Sequence, residues 1–222
     1  RTVLVGRPEV LTQRIEKLGL RLKLDRDVEV TNPEQDDRFH RYWNHYWELR
    51  CRHGITPDMA RTEVRRRQTW NDAMMVQMGE ADGMVCGTVG SFHEHWRYVD
   101  QVIGLKPGAQ SYAAMNILLL TERTLAVVDT HINETPTAEQ IAEYTIAAAE
   151  QMQRLSIKPK AALLSHSNFG TSDSESARRM REALALIRAR APELEVDGEM
   201  HGDCALDQKT RDKILPGSTL TG

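Results

Sequence analysis

The chain is short of aromatics, cysteine and net charge, and each shortage removes a class of function. Phe, Trp and Tyr together make up 5% of the 222 residues, and only three residues are cysteine. Cys51, Cys86 and Cys204 are isolated, odd in number and without Cys-x-x-Cys spacing. That excludes a disulfide framework and a thiolate zinc site built from neighbouring ligands, and points to reduced thiols in the cytoplasm. Lys and Arg total 29 against 32 Asp and Glu, a formal charge of −3. A general nucleic-acid binder would carry a basic excess, so nucleic acid is not an expected partner. No apolar run approaches the ~20 residues needed to cross a bilayer, so no membrane partner is expected either. No basic-then-apolar leader opens the sequence, as expected of a chain that is not secreted. Internal repeats and low-complexity segments are lacking as well.

What is present is the composition of an ordinary globular chain, 40% hydrophobic and 27% charged, with enough length for one large domain or two small ones. Short β-like runs alternate with helix-period segments, the pattern of a mostly parallel sheet covered by helices. Thr2–Val5, Val28–Val30, Gly83–Cys86, Ile117–Leu120, Leu125–Val128, Ala161–Leu164 and a short run at Glu195–Val196 read as strands. Helices are predicted over about Glu9–Leu20, Asp37–His53, from Pro57 onward, Trp70–Gln77, from Ser91 to Val102, Thr137–Leu155, Glu175–Ala191 and Asp203–Leu215. Thr56 before Pro57 reads as a helix start, and Thr137 with Gln140 three residues on reads as a capping box. Gly104 to Gly108, with Pro107 inside, is the clearest punctuation, so residues 1–104 are assigned to a first lobe and 105–215 to a second.

In an open α/β sheet, ligands gather beyond the carboxyl ends of the strands, and three segments qualify. Cys86-Gly87-Thr88-Val89-Gly90-Ser91 joins a predicted strand to a helix. Its glycines allow close backbone approach, the helix start offers free N–H groups, and Arg97 lies two turns on. A tight turn that needs glycine explains the same letters. Ser165 to Ser174 follows an apolar strand and is rich in hydroxyls and amides suited to phosphate or hydroxyl groups, although a Ser/Asn/Asp turn with a helix cap reads identically. Asp197-Gly198-Glu199-Met200-His201-Gly202-Asp203 gathers three carboxylates and a histidine at a predicted strand end. These suit acid–base work or a divalent metal, although no partner histidine lies at zinc-binding spacing, and a solvated acidic loop with Asp203 capping the last helix explains the same letters.

Other features invite blander readings. His93 and His95 are two apart, so on a helix their rings diverge and a metal site is disfavoured. Ser165 and His166 are adjacent and lack a Gly-x-Ser-x-Gly elbow, which argues against a nucleophilic pair. Tyr42, Trp43, Tyr46 and Trp47 suit packing at a helix–helix seam or a subunit interface. Arg65-Arg66-Arg67 reads as a solvated helix face.

Taken together, Gly79-Glu80-Ala81-Asp82-Gly83-Met84-Val85-Cys86-Gly87, Ala162-Leu163-Leu164-Ser165 and Asp197-Gly198-Glu199 resemble the phosphate acetyltransferase/phosphate butyryltransferase family, over essentially the whole chain. Within it, three strings are similar to the C-terminal domain of large bacterial NADP-dependent malic enzymes. They are Asp129-Thr130-His131-Ile132-Asn133-Glu134-Thr135-Pro136-Thr137, Leu164-Ser165-His166-Ser167-Asn168-Phe169-Gly170 and Asp197–Leu206.

The resemblance implies an α/β fold of two α/β/α lobes with a cleft between them, like the isocitrate/isopropylmalate dehydrogenases, with residues 216–222 beginning a return to the first lobe. The family moves acetyl between coenzyme A and phosphate and holds the phosphate with arginines; the matching arginine here is Arg97. The resemblance also implies a ligand site of Thr88, Gly90, Ser91, Arg97, Ser165, Ser167, Asn168, Gly170, His201 and Asp203, with no catalytic residue and no metal. Transferring members carry a Ser-Arg-Gly segment followed by an acid near their C-terminus, and this sequence contains none. In malic enzymes the domain senses acetyl-CoA, while malate, NADP and a divalent metal belong to a preceding domain. The expectation is therefore a non-catalytic, acetyl-CoA-binding module without a cofactor of its own. It should form a homodimer, with the aromatic cluster at the interface. A working phosphate acetyltransferase is the alternative.

Overall fold

Short apolar runs separated by amphipathic stretches fold, in this computed structural model of residues 1–222, into six strands and nine α-helices. The chain divides into two units, Arg1–Lys106 and Pro107–Gly222. The architecture is mixed α/β, but its sheets are small. Two parallel pairs and one antiparallel hairpin replace the extended parallel sheet that the alternation suggests. No helix is long and apolar enough to cross a membrane.

In the first unit, β1 (Val3–Val5) lies parallel to β2 (Glu29–Thr31), with Leu4 opposite Val30, and α1 (Pro8–Lys17) connects them. Then α2 (Arg38–Arg50) runs into a single 3-10 turn, Cys51–His53, which Gly54 ends at φ 85°, a left-handed conformation open to glycine without a Cβ clash. The Thr56 hydroxyl accepts from the Met59 amide and starts α3 (Pro57–Arg66), as the sequence predicts. Completing the unit are α4 (Gln68–Gln77) and α5 (Phe92–Val102).

Most of the chain's scarce aromatics are spent inside this unit. The Trp70 ring lies 4.3 Å from Tyr46 and 5.0 Å from Tyr98, and Tyr42, Met74 and Val64 complete a sealed core. Burial pushes the Tyr46 phenol up to about 12, so it stays protonated and donates to Gln101. Tyr42 and Tyr46 are sealed against α3, α4 and α5, the helix–helix packing that the sequence offers for this cluster, while Trp47 packs at its rim and stays partly exposed. A correction concerns Gly83–Cys86, which forms no strand. A strand needs a ladder partner for its N–H and C=O groups, and neither β1 nor β2 pairs with this run; Val85 is fully exposed.

In the second unit, β3 (Met115–Leu119) and β4 (Thr124–Val128) make an antiparallel hairpin. Next comes α6 (Ala138–Arg154), opened by the full capping box: the Thr137 hydroxyl accepts from the Gln140 amide, and the Gln140 side chain accepts from the Thr137 amide. After it, β5 (Lys160–Leu164) pairs in parallel with β6 (Glu195–Met200) through the crossover helix α7 (Glu175–Arg190). Leu163, Val196, Ala183, Leu184, Ile187, Ala142 and Ile141 form the core under α6 and α7. The last two helices, α8 (Gly202–Leu206) and α9 (Gln208–Ile214), replace the single helix expected over Asp203–Leu215. Asp207 breaks it: its backbone is extended, and its carboxylate accepts from the Thr210 amide as a new N-cap. Residues 216–222 lie within this unit, where Leu220 packs with Met200, Cys204 and Leu215.

The short run expected at Glu195–Val196 extends to Met200, so Asp197 and Glu199 are buried strand residues and not parts of a solvated acidic loop. Gly198 makes this possible. Its φ is 142°, and a Cβ there would lie 2.7 Å from the Leu163 carbonyl oxygen.

Because the capping box satisfies two helix-start donors, Thr137→Ala should lower stability by ~1 kcal/mol. Urea unfolding checks this as a lower midpoint at unchanged slope.

Candidate functional site

The sequence-predicted residues fall into two groups, one in each unit. In the first unit, Thr88 and Gly90 line an open groove of about 1200 Å³ whose walls also include Asp72, Cys86, Glu94 and His95. The loop between them is held by its own helix. Ser91 caps α5 by accepting from the Glu94 amide, and a His95 ring nitrogen lies 2.7 Å from the Val89 carbonyl oxygen. Gly90 has φ 102°, and a Cβ there would stand 2.9 Å from a Glu94 carboxylate oxygen. Glycine at this position is thus required by the turn itself. Arg97 is exposed, its guanidinium 5.4 Å from the centre of the Tyr98 ring and outside the groove wall. His93 stacks toward Trp96 while His95 also bonds the Thr69 hydroxyl, so the two rings turn to different partners.

Asp72 is the unusual titrating group of this groove. It has no ion-pair partner, and burial pushes its carboxyl up to about 6. Cys86 is exposed, and partial desolvation on the groove side, helped by the Asp72 charge, raises its thiol.

In the second unit, the structure brings Ser165, Ser167, Asn168, Gly170, His201 and Asp203 to the carboxyl ends of β5 and β6. The Ser165 amide donates to the Met200 carbonyl at 2.9 Å, and the His201 amide donates to Asn168 Oδ1 at 2.8 Å. The two strand-end loops are thereby tied together. Within the Ser165–Gly170 loop, Phe169 takes a left-handed φ of 47° and its amide donates to the Glu199 carbonyl. Ser167 is fully buried, and Gly170 and His201 are exposed. The Asp203 carboxylate accepts from the next amide, that of Cys204.

Glu199, read from sequence as one of three clustered acids, is fully buried beneath this loop. Its Oε1 accepts from the Ser167 hydroxyl at 2.7 Å, the Gly170 amide at 2.8 Å and the Arg181 guanidinium at 2.9 Å. Burial alone would raise this carboxyl, but these donors overcome it and hold the group below the usual glutamate range. Asp197, two residues earlier, binds Arg188 at 3.0 Å and accepts from the Ser218 hydroxyl and the Thr219 amide, both at 2.8 Å. Arg181 and Arg188 were not singled out in the sequence. Their signal is positional: seven residues apart, they flank the face of α7 that buries Ala177 and Leu184 and so lie within reach of β6.

A third loop follows β4. Burial works against the Asp129 carboxylate, but the amides of Ala114 and Asn133, each at 2.8 Å, and the Asn133 side chain at 2.6 Å hold its pKa low. Arg179 of α7 reaches the Pro136 carbonyl of the same loop at 3.0 Å. Nowhere in the chain do three His, Cys, Asp or Glu side chains converge as a metal site would require.

The sequence profile described as phosphate acetyl/butaryl transferase matches residues 1–222. The chain belongs to this family. As a phosphate acetyltransferase-family chain, it is 48% identical over 220 residues to the NADP-dependent malic enzyme of Escherichia coli K12, covering 99% of this chain and 29% of that enzyme. It is 45% identical, with the same coverage, to the NAD-dependent malic enzyme of Rhizobium meliloti 1021. A solved phosphotransacetylase from Streptococcus pyogenes superimposes with a TM-score of 0.80 at 30% identity, over 98% of this chain and 65% of that one. The chain thus spans about 29% of the length of the malic enzymes it matches.

The Asp72 shift sets one component of the pH dependence. Its folded pKa lies above the unfolded value, so the native state holds the proton longer and the Asp72 contribution to stability falls as pH rises from about 4 to about 6, opposite in sign to those of Asp129 and Glu199. Asp72→Asn should flatten that decline and add on the order of 2 kcal/mol at pH 7. Denaturation midpoints across pH 4–8 read the difference.

Proposed function

We propose that the chain is the regulatory, acetyl-CoA-binding C-terminal part of a cytoplasmic malic enzyme. The enzyme's remainder would convert malate to pyruvate and carbon dioxide with NADP and a divalent metal. The observation that carries this reading is 48% and 45% identity to two malic enzymes across 99% of the chain. One of those relatives is named for NAD and the other for NADP. The likeness is therefore indifferent to the nicotinamide cofactor, as suits a part that does not hold it.

The chemistry of the strand-end loops supports an anionic, hydroxyl-bearing ligand. Ser165, Ser167, Asn168, Gly170, His201 and Asp203 of the second unit, with Thr88, Gly90, Ser91 and Arg97 of the first, are the proposed contacts for acetyl-CoA. The Arg97 guanidinium is exposed and available to a phosphate. Kinship of the two units to the lobes of isocitrate/isopropylmalate dehydrogenases, and a homodimer formed through this part, belong to the same reading. Regulation requires that acetyl-CoA bind one arrangement of the enzyme more tightly than another, since equal affinity shifts no population.

The second reading is a working phosphate acetyltransferase, favoured by the 30% identity and 0.80 TM-score to the Streptococcus pyogenes phosphotransacetylase. A turnover assay of the natural protein with acetyl-CoA and phosphate separates the two. Steady formation of acetyl phosphate would overturn the sensor, whereas binding without turnover supports it. Isothermal titration should show saturable acetyl-CoA binding, with thermal stabilisation of ~2.7 kcal/mol at a hundred times Kd. Arg97→Ala should weaken that binding by ~1.5–3 kcal/mol, the worth of a charge-assisted hydrogen bond.

A further inference from the structure

Glu199 has more donors on one oxygen than a strand residue needs, and too few on the other. Three donors converge on Oε1: the Ser167 hydroxyl, the Gly170 amide and Arg181. The backbone carbonyl of Glu199 takes a third donor from the loop, the Phe169 amide at 2.9 Å. Oε2 is buried and accepts no hydrogen bond. A carboxylate kept under a loop with half its acceptor capacity unused is poorly suited to maximising stability, because an unpaired buried oxygen carries a desolvation cost. What it does satisfy is the geometry of one loop.

The anchoring is specific to that loop. Gly170 at φ 87° and Phe169 at 47° both hold left-handed conformations, and both of their amides end on Glu199. The Ser167 hydroxyl donates to Glu199 while accepting from the Ser172 amide at 3.0 Å, so the fold of the loop propagates from the carboxylate outward. Arg181 closes the arrangement by bonding the Ser172 carbonyl and Asp173 as well as Glu199.

We infer that Glu199 is a positioning residue: without touching the ligand, it holds the Ser165–Gly170 loop in the shape that binds acetyl-CoA. The inference rests on the acetyl-CoA reading above. Its requirement is an acceptor oxygen at the Oε1 position, more than a charge. Glu199→Met removes the acceptor at similar volume, and Glu199→Gln keeps it without the charge.

The test is isothermal titration of the natural protein with acetyl-CoA, with melting temperature and amide exchange read on the same samples. Glu199→Met should raise Kd roughly tenfold or more, since small displacements of a binding group are costly. Glu199→Gln should stay within about threefold. As a control for lost stability alone, Thr137→Ala should lower the melting temperature and leave Kd unchanged. Amides from Ser167 to Thr171 should exchange faster in Glu199→Met than in the wild type. If that variant fails to fold, Glu199→Asp takes its place, drawing the acceptor back from the Ser167 hydroxyl and the Gly170 amide, with a several-fold rise in Kd expected and an unchanged Kd overturning the inference.

A folded Glu199→Met variant with wild-type Kd would likewise overturn it. So would a Glu199→Gln variant as weak as the methionine one, because the charge itself would then meet the ligand. Failure of the wild type to bind acetyl-CoA would sink the functional reading instead. In that case unchanged exchange at Ser167–Thr171 would also overturn the positioning role, and faster exchange would uphold it.

Discussion

Two carboxylates buried on a six-residue strand dictate the organisation of the second unit. A charge removed from water must be met by donors in good geometry or it destabilises the fold. On β6 the two solutions are different. Asp197 gathers Arg188 with Ser218 and Thr219, and so fixes the segment after α9. Glu199 gathers Arg181 with Ser167 and Gly170, and so fixes the loop after β5. One strand thereby anchors a structural seam and a candidate binding loop from positions two apart.

The helix across from it is built to match. Arg181 and Arg188 stand two turns apart on α7, flanking the face that buries Ala177, Leu184 and Ile187. Their guanidiniums reach over the apolar core to the two carboxylates, which accounts for charges beside a hydrophobic face. The crossover β5–α7–β6 is therefore held by apolar packing at its centre and by ionic hydrogen bonds at its rims. The first unit takes the opposite course. It concentrates Tyr42, Tyr46, Trp70 and Tyr98 in one core and leaves Asp72 on the groove wall without a partner.

Local features were the most legible in the sequence. The capping box at Thr137, the Thr56-Pro57 helix start and the polar loop from Ser165 all follow from side chains that satisfy their own neighbours' backbone. Features that depend on distant partners were not. Gly83–Cys86 carries the composition of a strand but has no ladder to join. The acidic run from Asp197 leaves a chemical site and a solvated loop both open, because its charges outweigh its periodicity; only Arg181 and Arg188, a helix away, account for its burial. The aromatic cluster was recognised as packing, yet whether it faced inward or toward a second subunit depended on α4 and α5 closing over it. In the candidate site, the loop residues could be read, but the acid that shapes them was visible only as one of three.

Gly198 sets a dimension of the molecule. Because Leu163 passes so close to its Cα, the spacing between the two central ribbons of this half is fixed by a hydrogen atom where every other amino acid carries carbon. Each route of gradual sequence change at that position begins by prying the ribbons apart, which would disturb the Ser218–Thr219 clasp on one side and the candidate ligand loop on the other. The backbone there is the least negotiable part of the unit, although it bears no side chain at all.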